Sequence, residues 1–343
     1  MSTPSPAEIA YMEAHPHDSK VANLVACGAV TLGIAYIAVI LRIVARTKTA
    51  FRMGADDYLI ILALPIFTVF FAFLCLTCHY GMGKHIIYVT STKGLIVSMT
   101  VVEVLYNVNI MWIKASILVL YVRIFPVRKF QMWTWVMMGV NVAYNITFLI
   151  CSIAQCLPIE SRWDTSIPSV CLDYYAVVVA SGVVNIVTDV IILAMPIPLI
   201  HQLHIPGRKK HMLSAVFATG AVACFISIAR CIEASALGSA DSTWDQVSAL
   251  YVTSLEISVG IVSACVPTYR PLISKVSEKI MRTNAGTIRP TDHYQLSATG
   301  KNAGNRYFAN GWSKTEGSIQ SNLPDDSSAK GITISRDYHV IAE

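Results

Sequence analysis

Residues 21–41 read VANLVACGAVTLGIAYIAVIL, and residues 57–78 read DYLIILALPIFTVFFAFLCLTC. The first stretch holds no charged residue and the second none after Asp57. A helix rises 1.5 Å per residue, so about 20 such residues cross a roughly 30 Å hydrocarbon core. Five further segments share this character, giving seven predicted spans at 21–45, 57–80, 94–124, 132–155, 173–200, 212–237 and 246–272. The first is too long for a signal-peptide core, and no small-residue cleavage site follows it, so it reads as a retained span. The composition agrees, with 54% apolar and 14% charged residues and a mean hydropathy of +0.55. A soluble domain carries about 25% charged residues. These values exclude a soluble enzyme, a disulfide-rich secreted domain and a wholly disordered chain.

Basic residues in short loops are retained on the cytosolic side of a membrane. Arg46, Lys48, Arg52, Arg123, Arg128, Lys129, Arg208, Lys209, Lys210, Arg270, Lys275, Lys279 and Arg282 all fall on one side of the predicted spans. The other side offers only Lys20, Lys84, Lys93 and Arg162. This alternation predicts an all-α seven-helix bundle with its amino terminus outside and its carboxyl terminus in the cytosol. The expected organisation is an extracellular segment 1–20, a bundle 21–272 and a disordered cytosolic tail 273–343, the tail being polar and without apolar periodicity. The net charge of +5 then points to the inner leaflet of a lipid bilayer, not to nucleic acid.

Charges inside a span are costly and face the bundle interior. The candidates are Glu103, Lys114, Asp189, Arg230, Glu233 and Glu256. Glu103, Asn107 and Lys114 lie at spacings of four and seven and form one stripe on the third span. With Asp189 and Glu256 they are the expected lining of an outward-opening ligand pocket. The competing reading is that such groups form interhelical ion pairs that only fix helix rotation. Arg230 and Glu233, at i,i+3, are expected to pair directly. Asp56 and Asp57 are expected to cap the second span and pair with Arg46 or Arg52. Gly81–His85 lacks the spacing of a phosphate-binding loop, and His79 and His85 have no acid or cysteine set beside them for a metal. No catalytic, metal or cofactor site is predicted. Cys156 and Cys171 bracket the long outer loop and are the expected disulfide, with Cys78 and Cys151 as rival partners.

Several motifs resemble those of the fungal rhodopsin-like seven-helix family over roughly residues 20–275. They are Gly54-Ala55-Asp56-Asp57-Tyr58, Tyr80-Gly81-Met82-Gly83-Lys84-His85 and Lys114-Ala115-Ser116 through Tyr121-Val122-Arg123-Ile124-Phe125-Pro126. Cys156-Leu157-Pro158 with Trp163 and Cys171, Asn185 with Asp189, Met195-Pro196-Ile197-Pro198 and Val266-Pro267-Thr268-Tyr269-Arg270-Pro271 complete the set. The form resembled lacks an extracellular eight-cysteine module, since residues 1–20 contain no cysteine. The resemblance implies a receptor-like sensor of a small ligand, or a membrane protein of a fungal secondary-metabolite gene cluster. It does not imply retinal. A Schiff-base lysine is missing from Trp244 to Tyr269, and Lys114 is the only lysine within a span. The D-R-Y and N-P-x-x-Y signatures of animal receptors are also absent. The leading expectation is a plasma-membrane receptor-like protein with a cytosolic partner at Arg123, Arg208, Lys209 and Lys210. The alternative is an accessory protein or intramembrane cyclase of a biosynthetic pathway, using a buried carboxyl as general acid.

Overall fold

Lipid offers no partner for a backbone N–H or C=O, so an apolar run that crosses a membrane folds as helix. The computed structural model describes residues 5–48, 53–164, 166–198, 207–233 and 241–269, with side chains at 207–216 outside the description. A short α1 (Pro6–Ala14) precedes α2 (Val21–Thr47), α3 (Ala55–Tyr80), α4 (Thr92–Ile124), α5 (Arg128–Ile153), α6 (Tyr174–Ala194), α7 (Gly207–Glu233) and α8 (Ser242–Cys265). Six of these, α2 to α6 and α8 with its following turn Val266–Thr268, are long and apolar enough to cross a membrane. α7 carries the segment expected as the sixth of seven spans. The tail 273–343 lies outside the described residues.

Helix ends follow local chemistry. Ser5 and Glu8 form a capping box at α1, and the Ser5 donors hold the Glu8 carboxyl below its usual pKa. Asp57 Oδ2 accepts from Gly54 N at 2.9 Å and caps α3. That helix stops at Gly81, whose φ of 123° suits glycine. α3 runs through Pro65 without ending there. α6 stops at Ala194 rather than near 200. Pro196 and Pro198, which follow immediately, bring no N–H to continue the ladder.

Phe67, Phe70 and Leu74 of α3 pack with Leu24 of α2 and with Ile257 and Ile261 of α8 in one apolar core. Ile34, Ile37 and Leu41 on α2, and Val183, Val187 and Val190 on α6, stay exposed at helical spacing. Apolar stripes of that kind on several helices suit lipid, not water. At one end of the bundle, β1 (Cys156–Leu157) pairs antiparallel with β2 (Val170–Cys171), with Cys156 opposite Cys171. The two cysteines form the expected disulfide, and Cys78 and Cys151 are free. This is called the lid end. The end holding Asp56 and Asp57 is called the clamp end.

Candidate ligand site and its charged layers

The third predicted span is α4, and its polar stripe does turn inward. Lys114 is 4% exposed. Its Nζ donates to Asn185 Oδ1 (2.8 Å), Asn185 O (3.0 Å), Thr188 Oγ1 (2.7 Å) and Tyr144 OH (3.2 Å), and it pairs with Asp189 Oδ1 at 3.0 Å. Glu256 on α8 completes the layer. Its Oε1 accepts from Ser227 Oγ (2.6 Å) and Asn185 Nδ2 (2.9 Å). Its Oε2 accepts from Tyr106 OH (3.0 Å) and lies 2.9 Å from Arg230 Nε. The Arg230 N–H is poorly aimed for a hydrogen bond, so that contact is an ion pair by proximity. The guanidinium also lies 4.6 Å above the Tyr106 ring. Two cations therefore meet two carboxylates, and the layer is formally neutral.

This geometry corrects one expectation. Arg230 pairs with Glu256 across helices and not with Glu233 one turn away. An interhelical partner at mid-bundle is desolvated with Arg230, whereas an i,i+3 contact on an exposed face is worth only a few tenths of a kcal/mol.

The polar residues flank two cavities stacked along the bundle. The lid-end cavity, about 90 Å³ measured as space open to the centre of a water molecule, is lined by Glu103, Tyr106, Asn107, Tyr174 and Arg230 among others. The clamp-end cavity, about 70 Å³ on the same measure, is lined by Lys114, Asp189, Ser227 and Glu256 within mostly apolar walls. The single pocket expected from Glu103, Asn107, Lys114, Asp189 and Glu256 is thus divided: Glu103 and Asn107 line the lid-end cavity, while Lys114, Asp189 and Glu256, members of the layer, line the clamp-end cavity. Glu103 accepts from Ser152 Oγ (3.0 Å) and Tyr174 OH (3.4 Å). Asn107 Nδ2 donates back to Glu103 O (2.9 Å).

A second charged layer closes the clamp end. Asp56 accepts from Arg42 (2.7 Å), Arg46 (2.8 Å) and Arg123 (3.0 Å). Asp57 accepts from Arg42 (2.7 Å) and Arg46 (3.1 Å). Arg42 also reaches Ala264 O at 2.6 Å, and Ser116 Oγ donates to Asp56 O at 2.8 Å. The clamp therefore joins α2, α3, α4 and α8. A Cβ at Gly54 would sit 2.3 Å from Arg123 Nη1 and 2.5 Å from Asp56 Oδ1, so any side chain there requires these clamp groups to shift. Arg42 was not among the intramembrane charges expected from sequence. Its signal is plain in hindsight: a lone charge at the end of an apolar span, facing two carboxylates at the start of the next. Ser227, Thr188 and Tyr144 carry no such signal, because hydroxyls are common on helices of every kind. At the lid end, His85 Nδ1 bonds Asp241 Oδ2 at 2.5 Å. The His85 ring stacks on Trp244 beneath Lys20.

A bundle of membrane-crossing helices that buries two charged layers under a disulfide-closed lid defines a polytopic membrane protein. The fungal rhodopsin domain family matches residues 41–275, and the chain belongs to that family. It is 29% identical over 209 residues to a SAT4 family membrane protein of Emericella nidulans, covering 57% of this chain and 52% of that relative. It is 27% identical over 267 residues to the polyenoic acids biosynthesis gene cluster protein Ba17b of Metarhizium anisopliae, covering 72% of each. It is 26% identical over 187 residues to the receptor GIN3 of Arthrobotrys oligospora, covering 53% and 45%. The chain thus spans about half the length of the SAT4 relative. No solved structure matches.

Proposed function

We propose that this protein is a seven-helix receptor-like membrane protein that binds a small ligand in its lid-end cavity and reports occupancy at the clamp end. One observation carries the reading. Glu256 Oε2 meets Arg230 and Tyr106, which line the lid-end cavity, while its Oε1 meets Ser227, which lines the clamp-end cavity. A ligand that competes for Arg230 or Tyr106 changes what holds Glu256, and through Ser227 and Asn185 what holds Asp189 and Lys114.

In this reading α7 is the remaining span. Residues 212–229 hold no charge, and Val222, Phe225 and Ile232 are exposed on its outer face. The amino terminus lies outside the plasma membrane and the tail in the cytosol, as the basic loops favour. A cytosolic partner engages Arg123 with Arg208, Lys209 and Lys210. The relative named as a receptor supports the receptor-like reading.

A second reading, an accessory protein or cyclase of a biosynthetic pathway, is favoured by the Asp189 and Glu256 carboxyls in the mostly apolar wall of the clamp-end cavity and by relatives named for gene clusters. Gene deletion with paired metabolite profiling and second-messenger measurement separates the two. The receptor reading expects a signalling defect that wild type rescues and Glu256→Gln, at normal membrane abundance, does not. Loss of one metabolite with signalling intact replaces it with the second reading.

A further inference from the structure

The wall of the lid-end cavity holds one charged donor that the protein leaves open. Arg230 is 8% exposed and lines that cavity. Its Nε meets Glu256 Oε2 by proximity alone, and its Cζ lies 4.6 Å from the centre of the Tyr106 ring. Among the described residues no acceptor stands in hydrogen-bond geometry to any of its N–H groups. Three neutral donors of the same wall are spent on their own helices. Asn107 Nδ2 donates to Glu103 O, and the Ser181 and Thr253 hydroxyls donate to Val178 O and Ala249 O. Charge around the cavity is balanced, because Arg230 stands against Glu256 and Arg162 acts on Glu103. Much of the remaining wall is apolar, including Met99, Val102 and Leu250.

We infer that the lid-end cavity takes a neutral, carbonyl-bearing small molecule with an apolar body, and that Arg230 is its anchor. The inference rests on this cavity being the ligand site of the reading above. A buried N–H without an acceptor is costly, and a guanidinium presents several in a fixed planar fork. A carbonyl oxygen accepts two of them on its two lone pairs and brings no hydrogen that needs a partner of its own. It also leaves the charge balance untouched, while the apolar body covers Val102 and Leu250. A carboxylate fits the same fork but adds an uncompensated charge beside Glu103 and Glu256 in a poorly screened site. An ammonium meets Arg230 itself, and a hydrocarbon leaves its N–H groups open.

The test uses the full chain in lipid nanodiscs with a reporter cysteine in the cavity, Ala249→Cys, and Ser181→Cys as a second reporter should the first fail to fold. Acetophenone, ethylbenzene, benzoate and benzylammonium, four probes on one ring, are compared for protection of the reporter from methyl methanethiosulfonate, with wild-type background subtracted. Each is measured again with Arg230→Met/Glu256→Gln added, which removes the donors and keeps the layer neutral. The expected result is that acetophenone protects at about tenfold lower concentration with Arg230 than without it, equivalent to about 1.4 kcal/mol, while ethylbenzene is unchanged. Should the double variant fail to fold, the infrared carbonyl stretch of carbon-13-labelled acetophenone decides on the parent reporter. A shift to lower frequency than in lipid alone is expected, and an unshifted band overturns the inference. Protection by none of the probes, a preference for benzoate or benzylammonium, or an acetophenone effect that survives loss of Arg230 also overturns it while leaving the cavity in place. Failure of the thiol reagent to reach either reporter overturns the outward cavity itself, and the receptor reading with it.

Discussion

Asp56→Asn is the most demanding single perturbation of this fold. The carboxylate has no exposed surface and accepts from three guanidiniums at 2.7, 2.8 and 3.0 Å. With Asp57 it opposes Arg42, Arg46 and Arg123 at a formal excess of one positive charge, and the substitution raises that excess to two. Removing one partner of a buried, hydrogen-bonded charge set costs about 3–5 kcal/mol. In a domain of about 150–250 residues each kcal/mol moves the midpoint by about 2–4 °C, so the expected fall is about 6–20 °C. The assay is thermal unfolding of the full-length protein in detergent, followed by a thiol-reactive dye on the buried Cys265. Arg42→Met loses the bond to Ala264 O but lowers the charge excess, so Arg42→Met/Asp56→Asn should be destabilised by less than the sum of its parts. A fall under about 2 °C, or additivity within about 0.5 kcal/mol, would refute the clamp as a buried unit.

Three further outcomes follow from the same geometry. Cys156→Ser should lower stability by about 3 kcal/mol, the chain-entropy value for a loop of about 15 residues, and non-reducing peptide mapping should recover Cys156 joined to Cys171 in the parent. Gly54→Val places a side chain where Arg123 Nη1 sits, so hydrogen exchange at residues 120–125 should rise severalfold while α5 is unchanged. Lys114→Met leaves Asp189 without its ion-pair partner and sharing Ser227 with Glu256, at a cost of about 3–5 kcal/mol. Adding Asp189→Leu should recover most of that loss in the same thermal assay, and no recovery would mean the two charges are independently solvated.

Much of the bundle is legible in the sequence because the bilayer imposes a length on every apolar run, so helices α2 to α6 and α8 start or stop within a few residues of where Val21, Asp57 or Ile124 place them. The deviations have local causes. Pro196 and Pro198 shorten α6, and the Ser5–Glu8 capping box builds α1, a signal present in the sequence but overshadowed by the neighbouring span. Residue types also sufficed to turn Glu103, Asn107 and Lys114 inward, since a charged stripe facing lipid is too costly. Partner choice was not legible. Arg230 could be matched by spacing only to Glu233 on its own helix, whereas Glu256 reaches it through the rotation of α8 against α7. The division of one pocket into two cavities depends on the same rotation.

Whether the inner layer is more than bracing turns on packing. An ion-pair layer kept for stability alone rarely outperforms a well-packed apolar one of equal volume, and it does best with both faces filled, because protein interiors approach crystal density. Here Lys114, Asp189, Ser227 and Glu256 border one cavity and Tyr106 and Arg230 border another. The layer thus carries the desolvation cost of four charges and forgoes close contact on both faces. The clamp is the useful contrast: Asp56 and Arg42 are fully enclosed, with Ser116 and the Ala264 carbonyl completing their shells. One charged layer is built as a fastening. The other separates two cavities, and on the proposed receptor-like reading it is the element through which occupancy of one would alter the other.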